Sequence, residues 1–279
     1  MSREAVLEVE RTLVRAGVPE PRTDAELLVA HVLGVCRSTL AGMIRCELDD
    51  AKRARLRSLV DRRRTREPLQ YVLGEWGFRR LVLNVDGRAL IPRPETEMVV
   101  ERALTHIEEL DAPRVLDVGT GSGAIALALA DEHPGADVVA LDLSTDALEL
   151  ARENIDRTGL ADRVELRRGD LVEGVRGPFD LVVSNPPYVR ADELPSLQPE
   201  VRDWEPQVAL VGDGLTEAIA AGALGILRPG GGLVLEVAES AAHRIAGELR
   251  RLGYEDVGIT LDLAGRDRVV EGRTASTSA

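Results

Sequence analysis

Apolar positions in the first 67 residues recur at helical spacing. In 2–16, Val6, Leu7, Val9, Leu13 and Val14 form one face of an amphipathic helix that Gly17 and Pro19 end. Thr23 or Asp24 caps a second helix carrying Ala25, Leu27, Leu28, Val32 and Leu33, stopped at Gly34. A third starts at Asp49 or Asp50 and turns Leu56, Leu59 and Val60 inward. No β pattern interrupts this stretch, so 1–67 reads as a small helical bundle. Over 68–91 the pattern changes: Tyr71-Val72-Leu73-Gly74 and Leu81-Val82-Leu83-Asn84-Val85 are β-rich, which predicts a hairpin linker. Ile91-Pro92-Arg93-Pro94-Glu95-Thr96-Glu97 is a stiff lead into a helix from Glu95 to Leu110, its prolines suited to the free N-terminal positions.

From Pro113 onward short apolar runs alternate with helical patterns, as in a parallel, doubly wound sheet. Arg114–Val118, Asp137–Leu141, Val164–Arg167, Phe179–Ser184, Leu233–Val237 and Asp256–Thr260 are the predicted strands. Helices are expected near 123–132, 144–157, 215–227 and 240–252. A seventh strand, 266–271, follows the sixth with no helix between them, which allows an antiparallel hairpin at the sheet edge. This is an α/β layout, that of the class I methyltransferase fold, spanning 92–272, with 273–279 expected as a disordered tail. The stretch Val189–Asp213, with Pro195, Pro199 and Pro206, is long for a connection and is expected to border a binding pocket.

Charge narrows the partners. The formal net charge is −13, against a general basic coat for nucleic acid. Residues 1–68 depart from this, with fourteen Lys and Arg against eleven Asp and Glu. Eight of those bases lie between Lys52 and Arg66 beside one acid, Asp61; they form either a solvated helix face or a docking surface for an acidic or RNA-bound partner. Cys36 and Cys46 are too few for a secreted disulfide framework. The start, MSREAVLEVERTL, has no apolar leader and no stretch is long enough to span a bilayer, so a cytoplasmic protein away from membranes is expected.

Chemistry concentrates after the predicted strands. Gly119-Thr120-Gly121-Ser122-Gly123 follows the first, where glycines permit a tight turn and a helix N-terminus offers N–H groups. Dinucleotide enzymes use a similar turn. Asp142 ends the next strand, placed to accept both hydroxyls of a ribose, which fits a nicotinamide cofactor equally well. Asp170 follows the third strand, suited to accept from an adenine amino group while Leu171 packs on the ring. Asn185-Pro186-Pro187-Tyr188 follows the fourth. Two prolines cannot continue a β-ladder, so the turn keeps carbonyls free of sheet pairing. Together the four features fit S-adenosylmethionine, with S-adenosylhomocysteine as product, better than a dinucleotide. The Asn185 oxygen and the Pro186 carbonyl would accept the two N–H bonds of a planar amide or amino group, with Tyr188 on its face or in the pocket wall. The four histidines show no ligand spacing and no metal is indicated.

On these residues the chain resembles the PrmC/HemK family. The resemblance rests on Glu67-Pro68-Leu69-Gln70-Tyr71, Leu90–Glu97, Leu116–Gly123, Asn185–Tyr188, Glu205-Pro206 with Ala209-Leu210, and Asp262–Arg268, which span nearly the whole chain. It implies methylation of the glutamine side-chain amide in the Gly-Gly-Gln motif of class 1 peptide chain release factors, with those proteins as partners and no direct nucleic-acid binding. It also implies that Gly119–Gly123, Asp142, Leu171 and Asn185 bind S-adenosylmethionine. Asn185–Tyr188 would then hold the amide, with Arg93 near the pocket mouth. Thr216-Glu217-Ala218 stands where the family has Phe-Tyr-Arg. The residues leave open an amino methyltransferase acting on adenine in nucleic acid or on a small amide or amine, and a non-catalytic binding module.

Overall fold

The computed structural model describes residues 2–42 and 48–276, and the chain forms two units. One comprises residues up to Glu75 together with Gln198–Trp204; the other comprises Trp76–Leu197 and everything from Glu205.

In the helical unit, α1 (Ser2–Arg15), α2 (Pro21–Leu33), α3 (Arg37–Gly42) and α4 (Asp50–Arg64) precede a short α5 (Leu69–Leu73). Val6, Val9 and Leu13 of α1 pack with Leu28, Val29 and Val32 of α2 and Leu56, Leu59 and Val60 of α4. The second helix begins at Pro21 rather than at Thr23 or Asp24, because a proline at the first helical position is already held at helical φ. Asp49 caps α4 by accepting from the Lys52 N–H at 2.8 Å. Tyr71-Val72-Leu73, expected as a strand, is instead α5. Leu69 and Val72, three residues apart, both face the helical core, and Gly74 closes the turn in the left-handed region at φ 79°. Burial overrides β propensity in so short a run. Cys46 lies outside the described residues.

Of the basic run from Lys52 to Arg66, Arg53, Arg55, Arg57, Arg62 and Arg64 stay exposed, while Arg63 is turned inward and Arg66 partly so. The Arg63 guanidinium, buried, donates to Asp24 Oδ2 at 2.7 Å and to Glu200 Oε1 at 2.9 Å. Arg66 donates to both oxygens of Glu200, at 2.7 and 2.6 Å, and Arg62 pairs with Glu67. Glu200 sits on α9 (Pro199–Arg202), a segment far along the chain that belongs to the helical unit.

The second unit starts with a hairpin of β1 (Glu75–Phe78) and β2 (Leu81–Asn84), then α6 (Thr96–Ile107). Next come β3 (Arg114–Val118), α7 (Ala124–Glu132), β4 (Asp137–Asp142), α8 (Thr145–Thr158), β5 (Val164–Arg168) and β6 (Phe179–Ser184). After the long connection follow α10 (Leu215–Ala223), β7 (Leu227–Glu236), α11 (Ala242–Leu252), β8 (Glu255–Leu261) and β9 (Asp267–Arg273). Sheet order is β5-β4-β3-β6-β7-β9-β8. All pairs from β5 to β7 are parallel, and β9 runs antiparallel to both neighbours. Side chains alternate across the sheet: Val115, Val138, Leu181 and Val183 meet α6 and α7, while Leu116, Val139 and Val182 meet α10 and α11. The strand order reverses between β3 and β6, and ligands of open α/β sheets bind outside the carboxyl ends of strands at such a switch.

β7 starts six residues earlier than predicted, with a register shift against β6, and Gly230 takes φ 77° in its irregular first half. At the other end, Arg273 completes β9 and the Thr274 N–H donates to Gly231 O at 2.9 Å. The ladder thus runs into the segment expected as tail; 277–279 lie outside the described residues. No described helix is long and apolar enough to cross a membrane.

Candidate active site

At the carboxyl ends of β3, β4 and β6 one pocket collects most of the residues singled out in the sequence. Gly119, Thr120, Gly121 and Ser122 line it with Asp142, Asp170, Leu171, Asn185, Pro186, Pro187 and Arg93.

The glycine turn is built by its own backbone. Gly119 and Gly121 take φ of 73° and 56°, conformations costly to a residue with a Cβ, and the Gly119 and Thr120 N–H groups donate to Leu141 O at 2.8 and 2.9 Å. Gly123 is not among the lining residues. It caps α7 in the left-handed region at φ 84°, a conformation that favours glycine, and a Cβ there would sit a tight 3.3 Å from Leu127. Asn154 of α8, fully buried, donates to Ser122 O at 2.9 Å and to Asn84 O at 3.1 Å, bracing the turn from behind.

Asp142 is held by two backbone donors: Gly121 N–H to Oδ2 at 2.8 Å and Ser144 N–H to Oδ1 at 2.9 Å. Each oxygen keeps a lone pair for a further donor. Asp117 of β3 is fully buried and accepts from the Thr120 hydroxyl at 2.6 Å; burial pushes its carboxyl up to about 7, and the nearby Asp142 charge adds to the rise. Leu171 occupies the left-handed region at φ 49° beside Asp170 on the pocket wall. Non-glycine residues held this way concentrate at ligand clamps.

Asn185 follows β6 directly, and its Nδ2 donates to the Thr96 hydroxyl at 3.2 Å. Thr96 donates in turn to Glu236 Oε2 at 2.7 Å, and the Tyr188 hydroxyl donates to Glu236 Oε1 at 3.3 Å. Tyr188 turns its hydroxyl to Glu236 and is not among the lining residues. Burial pushes the Tyr188 phenol up to about 12, with the Glu236 charge acting the same way. Burial also pushes the Glu236 carboxyl up, against the Thr96 hydrogen bond and the Arg268 charge. Arg93, half-buried, pairs with the buried Glu205, whose other oxygen accepts from the Ile91 N–H at 3.3 Å. Burial raises Glu205 and Arg93 opposes the rise.

Of the stretch 189–213, Pro206, Val208 and Ala209 reach the pocket. Its two ends close on each other through Val189 N–H to Leu210 O at 2.9 Å and Gly212 N–H to Val189 O at 3.2 Å. Sequence reasoning assigned no role to Thr96, Asp117, Asn154, Glu205 or Glu236. For Glu236 a signal exists: an acid ending the apolar run Leu233-Val234-Leu235 is carried into a buried position.

A glycine turn after the first strand, acids after the second and third and Asn-Pro-Pro-Tyr after the fourth, on this sheet order, define a class I methyltransferase. Residues 4–74 match the PrmC N-terminal domain family and 99–197 the methyltransferase small domain family. A Deinococcus radiodurans protein named release factor glutamine methyltransferase is 44% identical over 279 residues, covering 98% of each chain. A Streptomyces coelicolor protein of the same name is 40% identical, covering 97% of each. Among solved structures, a Pyrococcus furiosus methyltransferase aligns with a TM-score of 0.51 at 20% identity over 69% of this chain and 88% of its own. A T. thermophilus 16S rRNA N2 G1207 methyltransferase aligns at 0.54 and 18% identity over 72% of this chain and 49% of its own. At those identities the structures speak for the fold. The chain belongs to the release factor glutamine methyltransferase family.

Proposed function

We propose that this enzyme transfers a methyl group from S-adenosylmethionine to the side-chain amide nitrogen of the glutamine in the Gly-Gly-Gln motif of class 1 peptide chain release factors. The observation that carries the chemistry is that Asn185, Pro186 and Pro187 line the same pocket as the glycine turn and Asp142. The near full-length identity to named relatives carries the substrate.

The pocket fits S-adenosylmethionine by the chemistry of its donors and acceptors. Asp142, its oxygens fixed by Gly121 and Ser144, would accept from the ribose hydroxyls. Asp170 would accept from the adenine amino group, with Leu171 on the ring. Gly119–Ser122 leave room for a ligand to approach the backbone. When bound, the cofactor supplies a methyl group on an electron-poor sulfonium.

The chain's own contribution is orientation. An amide nitrogen is a weak nucleophile because its lone pair is delocalised into the carbonyl. Asn185 Oδ1 and the Pro186 carbonyl accept one N–H each, which fixes the plane of the amide and favours pyramidal nitrogen. Positioning of this kind is worth up to about 7–11 kcal/mol of barrier. The nitrogen gives up one proton as it gains one carbon, so it needs no strong base before transfer. Arg93, held by Glu205, stands at the pocket wall as a positioning group for the incoming polypeptide. The helical unit would grip that polypeptide outside the glutamine loop.

Transfer of a labelled methyl group to purified release factor, lost in Asn185→Ala, tests the reading. No transfer at saturating cofactor overturns the substrate.

A further inference from the structure

An asparagine carboxamide has two nearly isosteric ends, and only one of them serves the proposed reaction. With Oδ1 toward the pocket it accepts a substrate N–H; turned over, it presents Nδ2 and repels the same group. Something must choose the end.

We propose that Thr96 and Glu236 are positioning residues that hold Asn185 with its oxygen toward the substrate amide, an inference that rests on the function proposed above. The choice follows from counting protons. A hydroxyl has one hydrogen to give. The Glu236 carboxylate, an acceptor only when ionised, takes it from Thr96 at 2.7 Å. The Thr96 oxygen is then left to accept, and the donor that reaches it is Asn185 Nδ2 at 3.2 Å. The second Glu236 oxygen takes the Tyr188 hydroxyl proton, so the proline turn is tied to the same carboxylate.

The groups facing Glu236 come from three elements. Thr96 and Glu95 lie at the start of α6, Tyr188 in the turn after β6, and Arg268 on β9. Arg268 favours the ionised carboxylate and is itself held by Asp262 at 3.2 Å, while Glu95 opposes ionisation. Burial does so more strongly, so protonation of Glu236 occurs above the ordinary carboxylate range. Once protonated, Glu236 no longer forces the direction of the Thr96 hydrogen, and Asn185 loses its fixed end. Glu236 at the end of β7 and Arg268 at the start of β9 thereby acquire one purpose: a buried carboxylate favoured in its ionised form behind the catalytic amide.

Thr96→Val removes the hydroxyl at nearly constant volume, while Thr96→Ser keeps it. The expected result is a kcat lowered about tenfold to a hundredfold in Thr96→Val and largely restored in Thr96→Ser. S-adenosylhomocysteine affinity by calorimetry should be unchanged in both. Glu236→Gln, which can donate as well as accept, should lower kcat and remove the acidic limb of the wild-type kcat–pH profile. If Thr96→Val is folded and as active as wild type, the inference fails while the methyltransferase reading stands. It also fails if Thr96→Val weakens S-adenosylhomocysteine as much as it lowers kcat, or if Glu236→Gln retains the acidic limb. If wild type transfers no methyl to release factor, it is the functional reading that fails.

Discussion

Asn185 and Thr96 stand 89 residues apart in the chain, yet their side chains meet at 3.2 Å, amide nitrogen to hydroxyl oxygen. That contact joins the turn after β6 to the first turn of α6, so the two proline-rich segments of the sequence act on one group. Ile91–Glu97 is more than a helix cap: it delivers Thr96 to Asn185 at the pocket wall and Arg93 to Glu205.

Asp142→Ala should weaken S-adenosylhomocysteine about tenfold to a hundredfold. It removes a charged acceptor, with hydrogen bonds to charged groups worth about 1.5–3 kcal/mol, and releases the Gly121 and Ser144 N–H groups. Calorimetry checks this, and unchanged affinity would remove Asp142 from the cofactor site.

Gly212→Ala should lower kcat by about tenfold or more with cofactor affinity unchanged. A Cβ at Gly212 would fall 2.5 Å from Pro187 O, so the proline turn must shift, and small misplacements of a catalytic group cost up to about a hundredfold. Equal kcat in the variant would show that the turn tolerates displacement.

The strands were legible because buried parallel strands are near-continuous apolar runs, and β3 and β6 begin and end where the runs do. Asp142 and Asp170 were legible for the same reason, as acids at strand ends. The hairpin's first strand was misplaced because Tyr-Val-Leu suits either helix or strand, and the packing of Leu69 and Val72 decided it. Partners of the site residues could not be read at all. Glu236 lies 140 residues from Thr96, and Glu200 lies 137 from Arg63, distances over which no local pattern carries information.

Arg63→Ala should destabilise the helical unit by about 3–5 kcal/mol in urea unfolding, because it strands the buried Asp24 carboxyl without its cation. Arg63→Met, which keeps the volume, should cost less than Ala does. A change below about 1 kcal/mol in Arg63→Ala would mean that Asp24 finds water or another donor.

Asp117 sets a pH dependence. Its carboxyl rises from an ordinary 3.8 to about 7 on folding, so the folded chain binds its proton more tightly than the unfolded chain. The stabilisation is fully present below 3.8 and is lost as pH rises through about 7. Between pH values of about 4 and 7, wild-type stability should therefore fall relative to Asp117→Asn, and level off above. Parallel pH curves for the two proteins would contradict a buried, proton-binding Asp117.

The central claim is the atom that receives the methyl group. Class 1 release factor, incubated with the enzyme and S-adenosylmethionine and then digested, can be mapped by tandem mass spectrometry. The expected result is one added methyl on the glutamine of Gly-Gly-Gln with wild type and none with Asn185→Ala. An unmodified glutamine, with the methyl on another residue or on nucleic acid, would contradict it.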